Sequence, residues 1–149
     1  MTLRWLLAAL HLLALGIGLG AVFARGQALR HIAQEKAVQR VLLADTFWGL
    51  AALIWISTGL LRAFGGFEKG SDYYLGNTLF WVKMALLVVI VGLEITPMVR
   101  LMRWRQDLRA GRDVDTSAAP RLAQISYVQV VVTVLMVLAA TAMARGIDL

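Results

Sequence analysis

Hydrophobic residues in this chain do not alternate with polar ones; they run on. Four apolar stretches can be read, at about residues 5–23, 42–61, 79–99 and 122–143. Each is close to the roughly 20 residues that a helix needs to cross about 30 Å of hydrocarbon. Membrane strands are shorter and alternate apolar with polar positions, so the strand reading fails. The pattern predicts an all-α fold, an integral membrane antiparallel four-helix bundle, with residues 1–149 forming a single transmembrane domain. The first stretch is too long for a signal-peptide core, and no clean small-x-small cleavage site follows it, so it reads as a membrane helix.

Within the stretches, polar residues recur at helical spacing. Asp45, Trp48, Ala52, Trp55, Gly59 and Arg62 form one stripe, and Ser126, Gln129 and Thr133 form another that can hydrogen-bond across helices. Lys83 and Glu94 are eleven residues apart. They therefore lie within about 20° of each other and about 16 Å apart along a helix axis. Gly18 shares the face of His11. Gly16 and Gly20 form a G-x-x-x-G pair on roughly the opposite face, which lets helix backbones approach closely. Pro97 is expected to kink or end the third span, whereas Pro120 suits the first turn of the fourth. Residues 26–41 contain no breaker after Gly26 and read as a short interfacial helix. Phe64, Phe67, Tyr73 and Tyr74 read as an interfacial aromatic belt, or as part of a lid over the outer mouth of the bundle.

Composition agrees with the pattern: 60% of the residues are hydrophobic and the mean hydropathy is +0.72. The net charge of +6 would suit a nucleic-acid binder, but its placement gives another explanation. Ten of the fifteen Lys and Arg residues fall in the 25–41 and 100–121 regions, on one side of the membrane. The positive-inside rule then puts both regions in the cytoplasm and both termini outside. The basic residues mark topology and anionic-lipid contact, and no nucleic acid is expected as a partner. The absence of cysteine excludes disulfides, thiolate iron–sulfur clusters, covalent c-type haem and Cys-based zinc sites.

Two residues interrupt the apolar spans with chemistry. They are His11 in WLLAALHLLALGIGLG and Lys83 in LFWVKMALLVVIVGLE. Titratable groups in lipid are costly and usually face an interior. Both are expected about 6–10 Å below the outer ends of their helices. His11 is either a hydrogen-bonded core residue, a proton relay or a haem ligand. Lys83 either snorkels to the interface or turns inward, where it would attract a porphyrin propionate or a quinone oxygen. His31 lies too far along the chain to give a second haem ligand within one protomer. Near the inner end, Asp45 and Glu94 are expected to form an ion-pair cluster close to Arg25, Arg40 and Arg100; a proton route ending there is the other reading. No phosphate loop, nucleophile triad or dimetal carboxylate set is present.

The segments ALHLLAL, ADTFWGLAALIWISTGLLR, KGSDYYLGNTLFWVKMALL and RLMRWR resemble a bacterial family of predicted four-helix membrane proteins, domain of unknown function 2214. The resemblance covers nearly the whole chain. It rests most specifically on Asp45, Gly49, Gly59, Arg62, Lys69, Tyr74, Asn77, Phe80, Trp81 and Lys83. It implies a bacterial cytoplasmic membrane location, and it brings no assigned reaction. A second, partial likeness runs to the membrane-type haem-dependent protoporphyrinogen oxidase family, which is similar at His11 (LHL) and Lys83 (WVK), with the lysine spacing one residue shorter here. That likeness implies haem b, bound through His11 as metal ligand with Lys83 as an anion partner.

Three functions therefore stand open: a haem- or porphyrin-binding redox protein, an accessory structural subunit of a larger membrane complex, and a small-solute carrier that would have to oligomerise. Beyond the lipid bilayer, the partners expected are other membrane subunits or further copies of the chain.

Overall fold

The computed structural model describes residues 2–66 and 75–147. Its elements are four helices: α1 (Thr2–Arg30), α2 (Ala37–Phe64), α3 (Thr78–Arg109) and α4 (Ala119–Ala144). All four are long and apolar enough to cross a membrane. Large side chains such as Leu12, Val88, Val131 and Leu138 stand exposed around the outside. Such exposure would be untenable in water but suits a bundle solvated by lipid tails. The expected all-α membrane bundle is present.

The backbones approach most closely between α1 and α2, between α3 and α4, and between α1 and α4. Small residues set two of these contacts. A Cβ at Gly18 would meet Ala51 Cβ at 3.3 Å and the Trp48 ring at 3.4 Å, and one at Gly26 would meet the Tyr127 ring at 3.2 Å. The helices α2 and α3 meet instead through long side chains, including Trp48 with Glu94, Arg105 with Asp45 and Phe64 with Phe80. Gly16 and Gly20 have no atom of another helix near them, so the G-x-x-x-G face looks out of the bundle. The close helix approach runs through Gly18, two turns from His11 on the same face.

Three apolar layers fill the interior. Leu29, Val41, Leu101 and Leu122 lie at the end with the two basic connections, hereafter the basic end. Trp48, Trp55, Ile90 and Met136 occupy the middle, and Leu79, Phe80 and Met143 the terminal end.

Three expectations change. Residues 26–41 hold no separate interfacial helix: α1 runs unbroken through Arg30, a turn follows, and α2 begins at Ala37. Lys36 makes that turn in the left-handed region, φ 61°. Pro97 does not end α3, which continues to Arg109 with Pro97 buried inside it. Neighbouring helices tolerate the lost backbone bond in a membrane helix. Arg25, counted by sequence with a basic loop, lies fully buried within the bundle. Pro120 falls in the first turn of α4 as expected. Asn77 caps α3 by accepting from the Phe80 N–H at 3.3 Å. Phe67, Lys69, Tyr73 and Tyr74, and with them the belt or lid reading, lie outside the described residues.

Candidate functional site

Two polar centres lie in the bundle, one toward each end. The one nearer the basic end is built on Arg25. Its Nη1 donates to Asp45 Oδ1 and Glu94 Oε1, both at 2.8 Å. Its Nη2 donates to Glu94 Oε2 at 3.0 Å and Gln129 Oε1 at 2.7 Å, and its Nε to Ser126 Oγ at 3.1 Å. A guanidinium has five N–H donors, and here every one is used. Glu94 also accepts from Trp48 Nε1 at 2.9 Å and from Gln129 Nε2 at 2.8 Å. Arg105 closes the cluster by donating to Asp45 Oδ2 at 2.7 Å.

The two arginines balance the two carboxylates, so no net charge is left in the cluster. One buried cation thereby ties all four helices together through charge-assisted bonds. This corrects the expected membership. Asp45 and Glu94 do meet, and Arg25, expected nearby, holds both; the second cation is Arg105. Arg40 and Arg100 are exposed and make no ion pair with them. The polar stripe of α4 divides: Ser126 and Gln129 serve Arg25, while Thr133 is buried with no hydrogen-bond partner. Between this cluster and the second centre lies the middle apolar layer.

The second centre is a cavity of about 400 Å³ that touches all four helices. His11, Arg62 and Lys83 line it, together with Trp55, Gly59, Met136 and Met143. The structure thus brings His11 and Lys83 to one cavity at one depth, and Lys83 turns inward to it. No carboxylate lines it among the described residues. Lys83 has no carboxylate partner among those residues.

The histidine is held on three sides. A Cβ at Gly59 would lie 3.0 Å from His11 Cε1, so only glycine leaves the ring its place. The Trp55 ring stands at 6.2 Å between centroids, tilted by 40°. Nδ1 lies 3.0 Å from Thr58 Oγ1. The direction of that bond follows from counting protons. The single Thr58 hydroxyl proton is donated to the Ile54 carbonyl at 2.7 Å, with the Trp55 carbonyl at 3.1 Å also in reach. Oγ1 must then accept, and Nδ1 carries the imidazole proton. The neutral ring keeps Nε2 as a bare lone pair. Fixing the tautomer from behind through Nδ1–H is the arrangement that prepares a histidine as a metal ligand or proton acceptor.

Among the described residues, no group of three or more His, Asp and Glu side chains is close enough to hold a metal ion. A metal at His11 would have to bring most of its own ligands, as a porphyrin iron does. Sequence spacing missed Thr58, the residue that orients His11. The signal was there: Thr58 stands three residues after Trp55 and four before Arg62, on the stripe that Gly59 also shares.

No curated protein and no solved structure matches the chain. The likeness to protoporphyrinogen oxidase accordingly finds no support among known proteins. A family model does match, over residues 3–148. The chain therefore belongs to the family described as predicted membrane protein DUF2214.

Proposed function

We propose that the protein binds haem b or a related porphyrin in the cavity between His11 and Lys83 and takes part in a redox reaction of the bacterial cytoplasmic membrane. The observation that carries this reading is the pairing of a bare histidine Nε2 with the Lys83 ammonium in one cavity that no carboxylate lines among the described residues. His11 Nε2 is a ready axial ligand, and Thr58 holds its tautomer. Lys83 lines the same space and suits a propionate carboxylate. The volume, about 400 Å³, lies within the common range of about 300–1,000 Å³ for ligand cavities. Haem would supply one-electron transfer at its iron. The chain's own residues bind, orient and neutralise the group. By the positive-inside rule the cavity faces the outer leaflet, and both termini lie outside.

Absorption spectra test the reading. The wild-type protein, purified in detergent and supplemented with haem, is expected to show a Soret band. His11→Ala should abolish it, and Lys83→Gln should weaken haem retention without abolishing the band. No Soret absorption in the wild type, or an unchanged band in His11→Ala, would overturn the proposal.

A further inference from the structure

A larger cavity, about 730 Å³, lies on the outside of the bundle between α1 and α2. It owes its existence to small residues. Gly20, Ala24 and Ala44 form its floor, and Phe23 and Phe47 stand along it, both exposed. From Ile17 to His31 it runs about 20 Å along α1. That exceeds the depth of one hydrocarbon leaflet, about 15 Å, by roughly the thickness of a headgroup layer. Its two ends differ in chemistry. The deep end is wholly apolar, while Gln27, His31 and Arg40 line the end at the basic connections.

Among the described residues, Arg40 is exposed there and pairs with no carboxylate, and no acid lines the groove. Arg30 and Lys36 flank the same turn, against Glu35 alone. His31 Nδ1 donates to the Gln27 carbonyl at 2.9 Å, which fixes the ring and leaves its other nitrogen unengaged by that bond.

We infer that this groove is a binding site for one anionic diacyl phospholipid, an acyl chain along the Gly20–Ala24 floor and its phosphate at Arg40. Basic pockets between helices at the cytoplasmic face are the usual setting for such headgroups. Charge complementarity chooses the lipid over a second copy of this chain, which would bring a second Arg40 and no acid to the same face. The inference is independent of the haem reading, because the groove and the His11 cavity share no lining residue.

Native mass spectrometry of the purified protein tests it, using phosphatidylglycerol and phosphatidylcholine with identical acyl chains. The wild type should retain one phosphatidylglycerol about fivefold better than phosphatidylcholine, whose choline cation offsets the same phosphate, as about 1 kcal/mol per basic residue toward net-anionic lipid implies. Arg40→Gln should erase that preference. Gly20→Leu, which fills the floor where no side chain stands within 4 Å, should reduce retention of both lipids. Arg100→Gln, removing an exposed cation elsewhere on the same side, should change neither. Equal retention of the two lipids by the wild type, or unchanged retention in Gly20→Leu, overturns the inference. So does displacement of the lipid by millimolar inorganic phosphate, which would make this a free-anion site. A dimer that Gly20→Leu dissolves would place a second copy in the groove and overturn it as well.

Discussion

Arg25 and Glu94, 69 residues apart in the chain, meet fork to fork, Nη1 to Oε1 at 2.8 Å and Nη2 to Oε2 at 3.0 Å. The arginine side chain is fully buried and the glutamate 23% exposed. Removing one member of a buried pair leaves the other charge uncompensated, at a cost of roughly 3–5 kcal/mol. Arg25→Leu is therefore expected to lower the thermal unfolding midpoint in detergent sharply, or to prevent accumulation of folded protein. Arg25→Lys should recover little, since an ammonium offers three donors where five are used. Arg40→Gln and Arg100→Gln, both exposed, should stay within about 0.5 kcal/mol of wild type. Equal effects in all four variants would refute the assignment of Arg25 as the cation of the cluster.

Asp45 binds two arginines that differ in surroundings. Arg25 is fully buried, whereas the Arg105 side chain is 32% exposed. Partial exposure screens the second pair, so its coupling should be about 1 kcal/mol or less. A double-mutant cycle of Asp45→Asn with Arg105→Gln measures that coupling directly. The equivalent cycle of Glu94→Gln with Arg25→Gln should give the larger value. If Arg105 proved the more strongly coupled, the burial argument would be wrong.

The part of this arrangement legible in the sequence is the part that helical periodicity controls. Lys83 and Glu94 share a face, His11 shares one with Gly18, and His11 and Lys83 share a depth; all three follow from 100° per residue and the lengths of the spans. Arg25 was not legible as a core residue. It follows an apolar run, where arginines commonly snorkel to the interface, and it is drawn inward by partners on three other helices, 20 to 104 residues away. Arg105 displaced Arg100 as the partner of Asp45 because α3 continues past Pro97 for three further turns, beyond the expected end of the span near residue 99. The G-x-x-x-G pair shows why a motif gives a surface and not a partner. Small residues at Gly16 and Gly20 create a smooth face, and only the packing of α2 against Gly18 decides that this face points outward.

The tautomer of His11 can be tested without any cofactor. The Thr58 oxygen accepts from Nδ1–H at 3.0 Å while its proton goes to the backbone. Nitrogen NMR of selectively labelled histidine should therefore show His11 with a protonated Nδ1 and a bare Nε2. Thr58→Val removes the acceptor and should shift the population toward the Nε2–H form common in unconstrained imidazoles. Thr58→Ser keeps the oxygen and should preserve the wild-type signal. A predominant Nε2–H form in the wild type would reverse the donor assignment and remove the lone pair from the cavity.

Glycines in this bundle differ in what a methyl group would meet, and that makes Gly59 separable from its neighbour Gly49. A Cβ at Gly59 would lie 3.0 Å from His11 Cε1, whereas one at Gly49 meets nothing within 4 Å. Both stand in the interior of α2, where glycine costs about 0.5–1 kcal/mol relative to alanine. Gly49→Ala should therefore be neutral or stabilising by up to that amount. Gly59→Ala gains the same helix propensity but must push the imidazole off its bond to Thr58. Its stability should gain less than that of Gly49→Ala, and its His11 nitrogen signals should move toward those of Thr58→Val. The two measurements together separate a packing role from a positioning role. A Gly59→Ala variant with wild-type histidine signals would show that the ring has room to spare, and that its orientation is set by Thr58 alone.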